Sequence, residues 1–180
     1  AFRKGEDIHS RTASEVLGIA PEDITPFQRR QAKAVNFGIV YGISDYGLSR
    51  DLGISRAEAA DYIARYFQRY PGVADYQRQT ILEARTKGYV STLCGRRRYL
   101  PDLLNRNYNL RSLAERMAIN TPIQGSAADI IKIAMIEIAN ELKLNSWHSK
   151  MILQVHDELI FNVIPKEQKE LIYLIKDKME

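Results

Sequence analysis

The chain has 180 residues, 45% of them hydrophobic and 27% charged, which suits one sizeable core in one domain or two joined lobes and excludes a disordered tail. Its single cysteine, Cys94, excludes an intrachain disulfide and a paired-cysteine zinc site and points to a reducing, cytoplasmic compartment. No apolar run approaches the roughly 20 residues of a membrane span, and the net charge of +4 is modest.

In chain order, a short helix is expected over Asp7 to Leu17, with Gly18 at its end and Pro21 beyond. A sharper signal follows: Thr25 is a good N-cap, Pro26 takes the first helical position, and Gln28 stands three residues after Thr25 as in a capping box. That helix should run toward Tyr41, with Gly42 as terminator. Asp45 to Leu52 fits another short helix, and Ser55 with Glu58 forms a second capping box that opens a helix to Tyr70, before Pro71. Its ring residues Tyr62, Tyr66, Phe67 and Tyr70 fall at helical spacing and are expected in the core. Val73 to Lys87 reads as helix ended by Gly88.

Tyr89 to Leu93 and Arg97 to Leu100 read as two short strands around Cys94 and Gly95, with three arginines at the bend. Leu110 to Ile123 and Ser126 to Leu142 are helical in pattern, with a kink or break at Pro122 and Gly125. Met151 to Val155 and Leu159 to Ile164 are branched apolar runs joined by a polar tip of His156, Asp157 and Glu158. Pro165 to Met179 reads as a last helix. The architecture is therefore α+β, mainly helical, with small antiparallel hairpins. The absence of an initial Met and a helical pattern still running at Glu180 suggest a piece of a longer chain.

Four features carry chemistry. On the helix opened by Thr25, Arg29, Lys33, Phe37 and Tyr41 recur every fourth residue, about 40° apart, as one curved stripe. Its amino-terminal half is cationic near the positive end of the helix dipole, suited to polyphosphate, and its other half is aromatic, suited to a sugar or base. The plainer reading is an amphipathic helix with Phe37 and Tyr41 in the core. At the second hairpin, Asp157 and Glu158 offer hard oxygens to Mg²⁺, although acidic residues are common in turns. Arg116, Asn120 and Gln124, four apart on one helix, are types that contact phosphates and minor-groove acceptors, or else serve in an ion pair and at a helix end. Finally, Arg85, Lys87, Arg96, Arg97, Arg98, Arg106, Arg111 and Arg116 meet only Asp102 and Glu115 in the same stretch. That local field suits a nucleic-acid backbone as well as a solvated face.

Four stretches in order resemble the family A DNA polymerases: RRQAKAVNFGIVYG, Arg29 to Gly42, is similar to motif B of the fingers, and QVHDEL, Gln154 to Leu159, to motif C of the palm. GYVSTLCGRRRYLPDL, Gly88 to Leu103, and ERMAINTPIQGSAAD, Glu115 to Asp129, are also similar to family segments. The resemblance covers nearly the whole chain. It implies a partial polymerase domain, with residues 1–87 mostly fingers and 88–180 mostly palm, and without the motif A strand, the thumb or any exonuclease domain.

It further implies template-directed DNA synthesis with two magnesium ions by a monomeric parent that binds primer-template DNA and deoxynucleoside triphosphates, with no membrane partner. Arg29 and Lys33 would grip the triphosphate, Lys33 also as general acid, and His9 would reach its phosphates. Phe37 would pack on its sugar and base, and Tyr41 would stand at the template position when the fingers are open. Asp157 would hold catalytic magnesium with Glu158 close by. Arg116, Asn120, Gln124 and His156 would track the primer-template minor groove, and Arg96, Arg97 and Arg98 would lie near the DNA backbone. A single-subunit RNA polymerase is the nearest alternative, against which Phe37 and Glu158 speak. A non-catalytic nucleic-acid-binding module is the other. The 180-residue chain alone is expected to be inactive.

Overall fold

The structure, a computed structural model, describes residues 5–179. They form two compact units, one running through Ser91 and resuming over Arg97–Pro122, the other made of Thr92–Arg96 and the chain from Ile123 onward.

In the first unit, α1 (Ile8–Leu17) is capped by Asp7, whose carboxylate accepts the Ser10 N–H, and ends at Gly18 in the left-handed region. Asp7 thus stands just outside the helix it opens. The next helix, α2 (Pro26–Val40), has the complete capping box, with Thr25 accepting from the Gln28 N–H and the Gln28 side chain accepting from the Thr25 N–H. It closes at Tyr41 and Gly42. At Gly42 φ is +67°, a conformation that favours glycine, and a Cβ there would crowd Arg116 Cγ at 3.0 Å.

Ser44 caps α3 (Asp45–Leu52), and the Ser55 and Glu58 box opens α4 (Arg56–Arg69). Pro71 is the first residue of α5 (Pro71–Lys87), two positions before the expected start, because proline at that position forfeits no helical hydrogen bond. Val16, Val35, Ile39, Leu48, Tyr62 and Tyr66 make one core, with Phe67 and Tyr70 packed against it, as the ring spacing predicts. Burial holds the Tyr62 hydroxyl at a pKa of about 12.

Strands β1 (Tyr89–Ser91) and β2 (Arg97–Tyr99) pair antiparallel, Tyr89 opposite Tyr99, and are shorter than expected. Arg97 and Arg98 belong to β2, so only Arg96 of the three arginines lies in the bend. A second core of Ala84, Val90, Leu100, Leu103, Ala114 and Ala118 packs this hairpin with α5 and α6 (Tyr108–Asn120).

Between α6 and α7 (Ser126–Leu144) the expected break is a π-helical turn, Thr121–Gly125. The wider turn absorbs Pro122, whose missing N–H would cost an α-helix one bond. In the second unit α7 packs on α8 (Gln168–Met179) through Ile138, Leu142 and Leu171. Proline at 165 opens a short 3₁₀ turn, Pro165–Glu167, ahead of α8. Strands β3 (Lys150–Val155) and β4 (Glu158–Asn162) form the second hairpin, with a bulge between Met151 and Leu153. Met151, Leu159 and Phe161 face the core, while Ile152, Leu153, Val155 and Ile160 are exposed.

Candidate functional site

The stripe on α2 is a surface. Phe37 is 48% exposed and Tyr41 42%, which overturns the reading of both rings as core, and Arg29 and Lys33 are exposed beside them. The buried positions of α2 are Ala32, Val35, Gly38 and Ile39, so the helix turns a different face to the protein. Lys33 Nζ lies 5.9 Å from the centre of the Phe37 ring. An open groove of about 430 Å³ runs along this face, lined by Phe27, Arg30, Lys33 and Phe37 of α2 and by Asp51 and Leu52 of α3.

Packing of α1 on α2 brings His9 to the stripe, its ring centre 5.8 Å from that of Phe37. His9, Arg29, Lys33 and Phe37 are therefore gathered on one side of the first unit. Tyr41 stands at the carboxyl end of the same helix. Burial pulls the His9 pKa below its ordinary value; Asp7 opposes this shift, and Arg29 and Lys33 reinforce it. The net effect favours the neutral form of His9.

Two participants escape a reading by motif. Asp7 takes a two-pronged hydrogen bond from Arg29, Nε to Oδ2 at 2.8 Å and Nη2 to Oδ1 at 3.1 Å, and Arg29 drives its pKa far below the ordinary carboxylate range. Asn36, one residue before Phe37, places its amide nitrogen 3.1 Å from both His9 Nδ1 and Thr12 Oγ1. Asn36 lies within the Arg29 to Gly42 stretch but off its every-fourth-residue stripe, and Asp7 lies outside every quoted stretch.

The arginines of the first hairpin are each engaged by the protein. In the second unit Arg96 donates from Nε to Asp129 at 2.8 Å and from Nη2 to the Gly125 carbonyl, pinning the bend to the start of α7. The Asp129 pKa is lowered by hydrogen bonding from Thr92 and then from Arg96. In the first unit the Arg97 guanidinium lies 4.7 Å from the Tyr89 ring, and Arg98 bonds Thr121 Oγ1 at 3.4 Å and Met117 Sδ at 3.3 Å. Arg96 is therefore first a structural tie, and the local excess of positive charge overstates the free cations.

Arg116 is exposed on α6, its stem against Gly42, and Asn120 lies one turn on with its Oδ1 buried and without a hydrogen-bond partner among the described residues. Gln124 is not on that helix but in the π turn, so the expected run of three on one straight helix is corrected to two.

At the second hairpin the connection is a two-residue turn of His156 and Asp157, with Glu158 already in β4 opposite Val155. His156 takes φ +54° and its carbonyl accepts the Gln154 side-chain amide at 2.8 Å. Asp157 and Glu158 are both exposed. Asp157 lies in the turn and Glu158 at the first position of β4. Among the described residues no group of three or more histidine, cysteine or acidic side chains could hold a metal ion. Asp157 and Glu158 alone do not complete a magnesium site, which needs several converging oxygens. No described helix is long and apolar enough to cross a membrane.

These features were compared with known proteins. The family model for DNA polymerase family A matches residues 1–180. DNA polymerase I of Bacillus caldotenax is 56% identical over 180 residues, which are 100% of this chain and 20% of that protein. DNA polymerase I of Bacillus subtilis (strain 168) is 56% identical over 181 residues, again 100% of this chain and 20% of the relative. Among solved structures, the POL domain of Pol1 from M. smegmatis, in complex with DNA primer-template and dNTP, superposes with a TM-score of 0.91 at 48% identity, covering 98% of this chain and 31% of that one. The chain thus spans about a fifth of the length of these curated relatives.

Proposed function

Because the chain belongs to DNA polymerase family A, we propose that it supplies the nucleotide-gripping face, and one metal-binding carboxylate, of a template-directed DNA polymerase. The observation that carries this reading is the exposed stripe of Arg29, Lys33 and Phe37, with His9 brought beside it from a different helix. Cations, a flat ring and a neutral imidazole within one patch match the parts of a deoxynucleoside triphosphate.

The reaction is nucleotidyl transfer. A primer 3′ oxygen forms a bond to the α-phosphorus, the bond to the β-phosphate bridging oxygen breaks, and pyrophosphate leaves. Arg29 and Lys33 hold the β- and γ-phosphates and offset the charge that develops on pyrophosphate, and the Lys33 ammonium is placed to pass it a proton. Phe37 packs on sugar and base, and Tyr41, at the end of α2, takes the template position until the helix closes on a correct pair. Arg116, Asn120, Gln124 and His156 track the minor groove, and Arg97 with Arg98 lies near the DNA backbone.

A divalent ion, when bound, would supply Lewis-acid charge at the reacting phosphate. Asp157 would hold it through a carboxylate oxygen, with Glu158 close by. The division into fingers, about residues 1–87, and palm, about 88–180, belongs to this proposal, as do magnesium as the metal, a cytoplasmic setting, a monomeric enzyme, and roles in replication and repair.

The test is primer extension by a polymerase of its relatives' length that carries this chain. With magnesium and four deoxynucleotides it extends the primer, and Asp157→Ala abolishes extension while a mobility shift still shows primer-template binding. Near-normal extension by Asp157→Ala, or preferential use of ribonucleotides, contradicts the proposal.

A further inference from the structure

Asn36 sits on α2 between the Lys33 and Phe37 positions of the stripe but is half-buried and points across to α1. Its amide nitrogen has two hydrogens and two acceptors at equal distance, 3.1 Å to His9 Nδ1 and 3.1 Å to Thr12 Oγ1. His9 and Thr12 are three residues apart, so they present adjacent side chains on one face of α1. One amide thereby clamps both.

The consequence for His9 is chemical. A neutral imidazole carries one N–H and one lone pair, and whatever one ring nitrogen bonds decides the role of the other. If Nδ1 accepts from Asn36, the proton must reside on Nε2. Protonation of both nitrogens would set an Nδ1–H against the amide N–H, so the same contact disfavours the imidazolium. Of the charged groups around the ring, Asp7 favours the imidazolium, while Arg29 and Lys33 of α2 oppose it. Arg69 at the end of α4 and Tyr70 just after it are directed to Glu15, and the Tyr70 hydroxyl also meets Thr12.

We propose that Asn36 is a positioning residue that fixes His9 as the neutral Nε2–H tautomer, so that the ring offers a hydrogen-bond donor, not a lone pair, to a phosphate oxygen of the incoming nucleotide. The inference rests on the proposed nucleotide face for its second half only; the tautomer is a property of the free chain. With the opposite tautomer the outward nitrogen would be a lone pair facing an anion, and binding would be repelled where it is now assisted. A neutral donor also suits a site already holding Arg29 and Lys33, since a third cation would bind triphosphate and pyrophosphate more tightly alike and slow product release.

The experiment is long-range ¹H–¹⁵N correlation spectroscopy of the ¹⁵N-histidine-labelled chain across a pH series, with His9→Gln identifying the His9 signals among the three histidines. Wild type is expected to show the Nε2–H tautomer with a hydrogen-bonded, unprotonated Nδ1. The near-isosteric Asn36→Asp puts a carboxylate on Nδ1 and is expected to raise the His9 titration midpoint by about one pH unit or more. An Nδ1–H tautomer in wild type, which needs no variant to observe, overturns the proposal, as does an unchanged midpoint in a folded Asn36→Asp. Addition of a deoxynucleoside triphosphate separates the two readings. Perturbation of Nε2 supports both, whereas an undisturbed Nε2 in the correct tautomer refutes the nucleotide role of His9 and leaves the clamp standing.

Discussion

Arg29 is the cation of α2 nearest the amino terminus that the motif singles out, and in the free chain its fork is occupied by Asp7. The pair is exposed, so it adds little to stability, but it offsets charge where polyphosphate would sit. Asp7→Asn removes that charge and still caps α1, because asparagine is as good an N-cap as aspartate. The variant is therefore expected to bind free deoxynucleoside triphosphate several-fold more tightly at low salt, with the gain fading as salt is raised. Isothermal titration at two ionic strengths measures it; weaker binding would show that Arg29 needs Asp7 as a brace. Neither Asp7 nor Asn36 was legible as a partner, since each acts across two helices and periodicity reports only one helix at a time. His9 was found through the family resemblance, whereas Arg29, Lys33, Phe37 and Tyr41 were visible as a stripe and needed the structure to show which side of α2 is wet.

Helix boundaries follow chemistry that is written locally. Thr25 with Gln28 and Ser55 with Glu58 make their capping boxes as read, and Asp45–Leu52 appears with the expected bounds. Thr25→Ala removes the hydroxyl that accepts the Gln28 N–H, and is expected to destabilise the first unit by about 1 kcal/mol in denaturant unfolding. No loss there would mean that α2 is held by its packing alone. Proline and glycine signal a kink or break at Pro122 and Gly125, and the form it takes, a π-helical turn over Thr121–Gly125, is not written in either residue alone. The arginine run misled for a related reason: charge counting cannot see that Arg96 meets a buried Asp129 thirty-three residues away.

In the second unit Glu167 ties the start of β3 to the approach to α8, accepting from the backbone N–H of His148 and Ser149. The Ser149 hydroxyl, and after it these amides, hold its pKa at about 2 against an ordinary 4.5. A carboxylate lowered on folding contributes stability that is fully present above its unfolded value and is lost as pH falls through the folded one. Glu167→Gln is expected to lower the melting temperature at neutral pH and to flatten its fall between about pH 4.5 and pH 2. A parallel fall in wild type and variant would remove Glu167 as the acid-sensitive tie.

Over the whole molecule, the described residues provide the proposed nucleotide face and the carboxylates of Asp157 and Glu158, and the chain covers a fifth of the length of its curated relatives. The 180-residue chain is accordingly expected to show no template-directed extension by itself. The face of α2 is tested most sharply by single-nucleotide incorporation kinetics of Lys33→Ala in a polymerase of its relatives' length carrying this chain. Lys33 is exposed, its ammonium 5.9 Å from the centre of the Phe37 ring, so its loss should leave the fold and duplex binding intact. The account predicts a fall of about 100-fold or more in kcat/KM for a correctly paired deoxynucleotide, with unchanged affinity for primer-template. Kinetics within twofold of wild type would contradict it, and would return the stripe on α2 to an ordinary solvated surface.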